Sequence, residues 1–134
     1  IYFEVGLVGV ASNLFLLSTL VSSFPLHSFP TAFSLLYSSR AISNIITLLC
    51  FLFYAVPVCF LNGPLGPDIV GLKVGQTTTF SYKSLIYVQL AIAFNRLVAT
   101  FFPLRYDVIC GKTGTLVMLV LIWTAALLHT IPEW

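Results

Sequence analysis

Four long apolar segments divide this chain and decide what it can fold into. A helix rises about 1.5 Å per residue, so about 20 mostly apolar residues are needed to cross about 30 Å of hydrocarbon. The segments that meet this requirement cover residues 2–24, 31–59, 76–102 and 113–131. Charged residues make up only 7% of the chain, against about 25% in soluble domains, so it cannot form a water-compatible surface. The sequence predicts an all-α, multi-pass membrane protein surrounded by lipid.

Proline and glycine mark two of the connections between these spans. Pro25 and Pro30 interrupt the apolar pattern after the first span, because proline does not fit inside a helix. The stretch 62–75 is rich in glycine and proline and is interpreted as a loop. The chain starts at Ile1, which is not an initiator methionine, and stops just beyond the fourth span, so we expect it to be a fragment of a larger protein.

Basic residues indicate which side of the membrane each loop occupies. Arg96, Arg105 and Lys112 surround the connection between the third and fourth spans, whereas the connection before the third span has Lys73 against Asp68. Cytoplasmic loops carry an excess of lysine and arginine. The third-to-fourth connection is therefore predicted to be cytoplasmic, and the chain is predicted to begin outside.

Polar side chains within a span are costly, so they are candidates for functional positions. In the third span Gln76, Phe80, Lys83 and Tyr87 follow one another at spacings of four, three and four, which puts them on one helix face. Lys83 could meet an anionic or carbonyl-bearing ligand in an outward-open cavity, or its side chain could extend to the outer interface. We interpret these four residues as part of a ligand pocket.

Further polar residues lie in the second and third spans. Tyr82, Gln89 and Arg96 lie at spacings of seven on a neighbouring face of the third span. Arg40 lies nine residues after Thr31 in the second span. Its side chain could pair with a group outside these four spans or extend toward the cytoplasmic interface.

Small polar residues predict where the first two spans pack together. Asn13 follows Gly9 by one helical turn, so a buried amide lies beside a position of close approach. We expect Asn13 to tie the first span to the second. The second span carries four small polar residues that we assign to helix packing: Ser38, Ser39, Ser43 and Asn44.

The remaining chemistry argues against an enzyme. No His, Cys, Asp and Glu cluster has metal-ligand spacing, and no phosphate loop or nucleophile–base pattern appears, so we predict no metal and no cofactor. A scattered net charge of +2 excludes nucleic acid as a partner. Cys59 at the outer end of the second span could form a disulfide, and Cys110 near the cytoplasm could be palmitoylated, although an unmodified Cys110 is preferred.

Several motifs together resemble one family of membrane receptors. Residues 95–106 read Asn-Arg-Leu-Val-Ala-Thr-Phe-Phe-Pro-Leu-Arg-Tyr, which resembles the third-helix end and second intracellular loop of rhodopsin-like receptors. Gly9 and Asn13 resemble the Gly-x-x-x-Asn of their first helix, and Trp123 falls where the fourth helix carries tryptophan. With Ser39-Arg-Ala-Ile-Ser-Asn44, the chain most resembles the nematode serpentine chemoreceptors of class x, as helices one to four of seven over residues 1–134.

The resemblance implies a chemosensory receptor of the plasma membrane. Such a receptor would bind an extracellular small molecule or peptide and activate a heterotrimeric G protein. Arg96 would contact the terminal helix of the G protein, and Leu104 would be an apolar anchor on its surface. The residues to which the resemblance assigns G-protein coupling are Asn95, Arg96, Pro103, Leu104, Arg105 and Tyr106.

The chain also departs from the usual receptor pattern. In the family, an acidic residue normally precedes the motif arginine and pairs with it in the resting state. Asn95 is neutral and cannot form this ion pair, which predicts a less stable resting state. Leu97 replaces a tyrosine, and no aspartate lies near Ala41, so a sodium site is not expected. No cysteine lies near Gly71, so the usual loop disulfide is absent or displaced to Cys59.

Two other classes of membrane protein remain open on the sequence alone. A transporter would use Lys83 and Arg40 along a substrate path and would show flux across the membrane. A four-helix accessory protein would show neither flux across the membrane nor activation of a G protein. Nucleotide exchange on a G protein separates the receptor from both.

Overall fold

The described part of the chain is helical throughout its spans. The computed structural model describes residues 2–22, 31–63 and 65–131. Its elements are α1 Tyr2–Ser22, α2 Thr31–Cys50, a π-helical turn Phe51–Ala55, α3 Val56–Leu61, α4 Asp68–Phe101, a 3₁₀ turn Pro103–Arg105, α5 Tyr106–Ile109 and α6 Lys112–Thr130. Four helical stretches are long and apolar enough to cross a membrane. The first span is α1, the second comprises α2, the π-helical turn and α3, the third is α4, and the fourth is α6.

The predicted break at Pro25 and Pro30 lies outside the described residues. The predicted loop over 62–75 is only partly correct, because α4 begins at Asp68. Pro67 immediately precedes the helix, where its missing N–H costs nothing. The Asp68 carboxylate lies in the first turn, where its negative charge interacts favourably with the positive end of the helix dipole.

A glycine within α4 has a packing reason. A side chain added at Gly71 would collide with the Tyr54 hydroxyl, so the glycine lets the π-helical turn of the second span lie against the third. Glycine costs about 1 kcal/mol in a helix interior. Counting Gly71 as a loop signal was wrong, because here it marks a close helix contact.

The π-helical turn keeps the second span continuous past a proline. The Val56 N–H donates to the Phe51 carbonyl, five residues back, instead of four. Pro57 follows at once, and a proline lacks an N–H and crowds the carbonyl four residues earlier. Leu52 in this turn is buried against Gly6 of α1. The widened turn thus also shapes the contact between the first two spans.

The second span lies at the centre of the described helices. α2 packs against α1, α4 and α6, and α4 packs against α6 as well. The buried cluster consists of Leu36, Val88, Ala91 and Ile92, with Tyr37, Met118, Leu119 and Ile122 around it. Three serines with no exposed surface let backbones approach closely where apolar residues would not: Ser43, Ser81 and Ser84.

Candidate functional site

Arg96 lies near the end of α4 that the basic residues assign to the cytoplasm. Its Nη2 atom donates a hydrogen bond to the Tyr37 hydroxyl of α2, with a nitrogen–oxygen distance of 2.6 Å. The Tyr37 ring lies 4.2 Å from the Phe33 ring, centroid to centroid, which holds the hydroxyl in place. The guanidinium of Arg96 is exposed but is held by a phenol of the neighbouring helix.

Asn95 turns the other way, toward the loop that follows α4. The side chain is 6% exposed, and its Oδ1 atom accepts a hydrogen bond of 3.1 Å from the Tyr106 hydroxyl. Asn95 is neutral and acts here as an acceptor for the loop, whereas Arg96 donates to α2. The two adjacent residues therefore connect α4 to two different elements, each through a tyrosine hydroxyl.

The loop after α4 presents apolar side chains to its surroundings. Phe102 ends the helix, and Pro103 begins a 3₁₀ turn, a position where its missing N–H is tolerated. Leu104 in that turn is 99% exposed and Val108 is 86% exposed, while Arg105 beside Leu104 is exposed as well.

The four residues predicted as a ligand pocket lie on the side of α4 that faces α6. Lys83 Nζ donates to the His129 carbonyl at 2.9 Å, and the Tyr87 hydroxyl lies 3.2 Å from His129 Nδ1. The His129 carbonyl belongs to the last turn of α6, where carbonyls lack intrahelical donors and are commonly capped by cations. Phe80 and Trp123 pack ring to ring at 5.6 Å.

Gln76 is also buried, with 5% of its side chain exposed. Three of the four residues, Phe80, Lys83 and Tyr87, thus contact α6. Their role in ligand binding stays a prediction.

Trp123 and Asn44 join helices through polar side chains. Trp123 Nε1 donates to the Ser39 hydroxyl at 3.0 Å, which links α6 to α2. Asn44 Nδ2 donates to Asn13 Oδ1 at 3.2 Å, and Asn13 in turn donates to the Gly9 carbonyl at 2.8 Å. These hydrogen bonds connect α2 to α6 and to α1.

Gly9 and Asn44 refine the prediction for the first two spans. A Cβ added at Gly9 would lie 3.0 Å from Leu48 Cδ1, so the glycine allows close approach. Asn44 is the residue of α2 that faces Asn13, whereas Ala41 is buried without a polar side chain.

Comparison with known families identifies the family of this chain. The model of the Serpentine type 7TM GPCR chemoreceptor Srx family matches residues 3–132. The chain belongs to this family. It is a chemosensory receptor of the G-protein-coupled type, an all-α multi-pass membrane protein, and it supplies transmembrane helices one to four of the seven-helix bundle. No curated protein and no solved structure matches the chain.

The family assignment confirms the resemblance predicted from the motifs, but two polar contacts of the receptor were missed. One is the Tyr37 hydroxyl that holds Arg96. The other joins Arg40 of α2 to Gln89 of α4. Tyr37 and Arg40 are three residues apart and so share a helix face, a signal that points to a common neighbour without identifying it.

The cysteines of the receptor differ in accessibility. Cys110 is 1% exposed, and this burial raises the pKa of its thiol. A buried thiol is a poor acceptor for palmitoylation, which supports the unmodified form over the lipidated one. Cys59 is exposed at the outer end of α3, and all three cysteines in the described residues are free thiols. Within the same residues, no group of three or more metal-ligating side chains forms.

Proposed function

We propose that the receptor acts at the plasma membrane, binds an extracellular small molecule or peptide, and activates a heterotrimeric G protein. One observation carries this proposal. Arg96 and the 99% exposed Leu104 lie at the same end of α4, the end that the loop charges predict to be cytoplasmic, and the short loop that starts at Pro103 joins them. A guanidinium beside a protruding leucine suits a partner with helix-end carbonyls and an apolar groove.

The mechanism is a shift between two helix arrangements. At rest, Arg96 donates to Tyr37, and Tyr106 anchors the loop to Asn95. A ligand that binds the open arrangement more tightly increases its population. Arg96 then leaves Tyr37 and binds the terminal helix of the G protein, while Leu104 inserts into its surface. Arg105 adds a second positive charge at the rim of the contact.

The ligand pocket is proposed on the α6-facing side of α4. Lys83 and Tyr87 both meet His129, which supports a polar cluster that can bind a carbonyl or carboxylate. A ligand oxygen would take the place of the His129 carbonyl as the acceptor for Lys83. Phe80, packed on Trp123, and the buried Gln76 would hold the helix face in position.

The test is nucleotide exchange on Gα with the full-length receptor in membranes. Leu104→Ala should leave surface expression unchanged and lower receptor-stimulated exchange. Leu128→Ala is the matched control, because Leu128 is also exposed but lies in the fourth span, away from the loop. Equal exchange by Leu104→Ala and wild type would refute the coupling role. Substrate flux without any exchange would favour a transporter instead.

A further inference from the structure

Arg40 holds a partly exposed guanidinium beside a neutral side chain of the neighbouring helix. Gln89 of α4 faces it, with its side-chain oxygen 3.2 Å from Arg40 Nε and 3.1 Å from Arg40 Nη2. A guanidinium only donates hydrogen bonds, so the amide oxygen, and not its nitrogen, belongs on this side. The contact joins the second and third spans through two hydrogen bonds.

The Arg40 side chain does not extend toward the end of the span that is predicted to be cytoplasmic. Gln89 lies seven residues from Arg96 on α4, which is about 10 Å along the helix at the usual rise. Arg96 binds Tyr37, one turn before Arg40 on α2. Arg40 therefore holds its charge about two helical turns deeper than Arg96, and extension to the interface is not the geometry it adopts.

Within the described spans, no carboxylate lies at the depth of Arg40 to balance its charge. An arginine stays protonated in proteins, and a glutamine provides hydrogen bonds but no countercharge. The acidic residues of the chain lie at or beyond the ends of its spans: Glu4, Asp68, Asp107 and Glu133. A charge held at this depth is costly without an opposite charge.

The pair lies toward the side of α4 that the other described helices leave open. Gln89 is exposed, as are Tyr82 and Arg96 on the same face. The family has seven helices and the described residues supply four, so this open face can receive one of the remaining helices. The opposite face of α4 is occupied by α6, through Phe80, Lys83 and Tyr87.

We propose that Arg40 and Gln89 form an anion-binding site, and that its occupant is a carboxylate side chain from the helices that complete the bundle. Gln89 binds the Nε–Nη2 edge of the guanidinium. The other edge, formed by Nη1 and Nη2, has the fork geometry that binds a carboxylate through two hydrogen bonds. Gln89 therefore orients the guanidinium, and the carboxylate neutralises it.

The test uses the full-length receptor and measures folded protein at the cell surface and its thermal stability in detergent. Each aspartate or glutamate of the remaining spans is changed in turn to asparagine or glutamine. We expect one such change to lower the surface signal severalfold. Gln89→Glu added to that variant should restore the signal, because it supplies a carboxylate next to Arg40.

The rescue has a matched control. Gln89→Glu added to Arg40→Gln should not raise the surface signal above that of Arg40→Gln alone, because no guanidinium is left to neutralise. The proposal is overturned if no acidic substitution lowers the signal, or if Gln89→Glu fails to rescue the one that does. Stability that falls when gluconate replaces chloride, with all acidic variants unaffected, would overturn it in favour of a free anion. Neither readout needs G-protein activation, so a failed coupling proposal leaves this test intact.

Discussion

The two halves of the third helix make different kinds of contact. In its outer half, Lys83, Tyr87 and Phe80 meet α6 through a carbonyl, a ring nitrogen and an aromatic ring. In its cytoplasmic half, Arg96 and Asn95 reach α2 and the loop, each through one tyrosine hydroxyl. Several contacts to one helix make a firm joint, whereas single hydrogen bonds to separate elements can be released one at a time. We therefore expect the outer half of α4 to be the more rigid part of the receptor, and the cytoplasmic half to hold the proposed switch.

Among the substitutions that test this comparison, Arg96→Ala should have the largest effect on nucleotide exchange. Arg96→Ala removes the group proposed to bind the G protein, and a charge-assisted hydrogen bond contributes about 1.5–3 kcal/mol. Receptor-stimulated nucleotide exchange should therefore fall about tenfold or more, since 1.4 kcal/mol corresponds to a factor of ten. Lys112→Ala, which removes another exposed cytoplasmic cation, is the control and should have little effect. Normal exchange by the Arg96→Ala receptor would show that the cytoplasmic half of α4 does not activate the G protein through Arg96.

Loss of the Tyr37 hydroxyl should act in the opposite direction. Tyr37→Phe keeps the ring that packs on Phe33 and deletes the acceptor for Arg96. A net hydrogen bond of about 1 kcal/mol at rest corresponds to an increase of about fivefold in the open population. Exchange without ligand should rise accordingly in membranes with matched receptor amounts. A fall in exchange at normal expression would show that Tyr37 supports the active arrangement instead.

The hydrogen bond between α6 and α2 should affect stability and not the balance between basal and stimulated signalling. Trp123→Phe removes the hydrogen bond to Ser39 but keeps an aromatic ring against Phe80. Interhelical hydrogen bonds in membranes contribute about 1 kcal/mol, so thermal inactivation should occur at a lower temperature. Ser39→Ala should have the same effect, and the double variant should add little to either. A changed ratio of basal to stimulated exchange would show that the contact between α6 and α2 also changes on activation.

The sequence predicted most of the fold because span formation is a local property. About 20 apolar residues suffice to identify a membrane helix, whatever its neighbours are. The start of α4 at Asp68 was missed, because Gly71 was counted as a loop signal when its purpose is contact with Tyr54. That purpose depends on a residue in another span, which no local pattern reveals.

For the candidate site, the sequence predicted which residues of α4 share a face but not which residues they contact. Spacing correctly grouped Phe80, Lys83 and Tyr87 on one face of α4, yet periodicity within one helix does not say which helix that face meets. The same limit hid the Tyr37 contact of Arg96. It also hid Gln89 as the partner of Arg40, because pairing across helices depends on their relative depth. Asn13 was correctly expected to meet the second span, where it accepts a hydrogen bond from Asn44.

Thiol labelling tests which end of the receptor lies outside, on which the comparison depends. Cys59 is exposed at the outer end of α3, and an impermeant reagent added to intact cells should label it readily. Cys110 should react slowly even in opened membranes, because it is buried and its raised pKa lowers the thiolate fraction at neutral pH. Its labelling rate should keep increasing as the pH rises above the ordinary thiol range. Cys59→Ser removes the first signal and Cys110→Ser the second, which assigns each rate to one residue. Rapid labelling of Cys110 in intact cells would invert the orientation and move the proposed switch to the outer face.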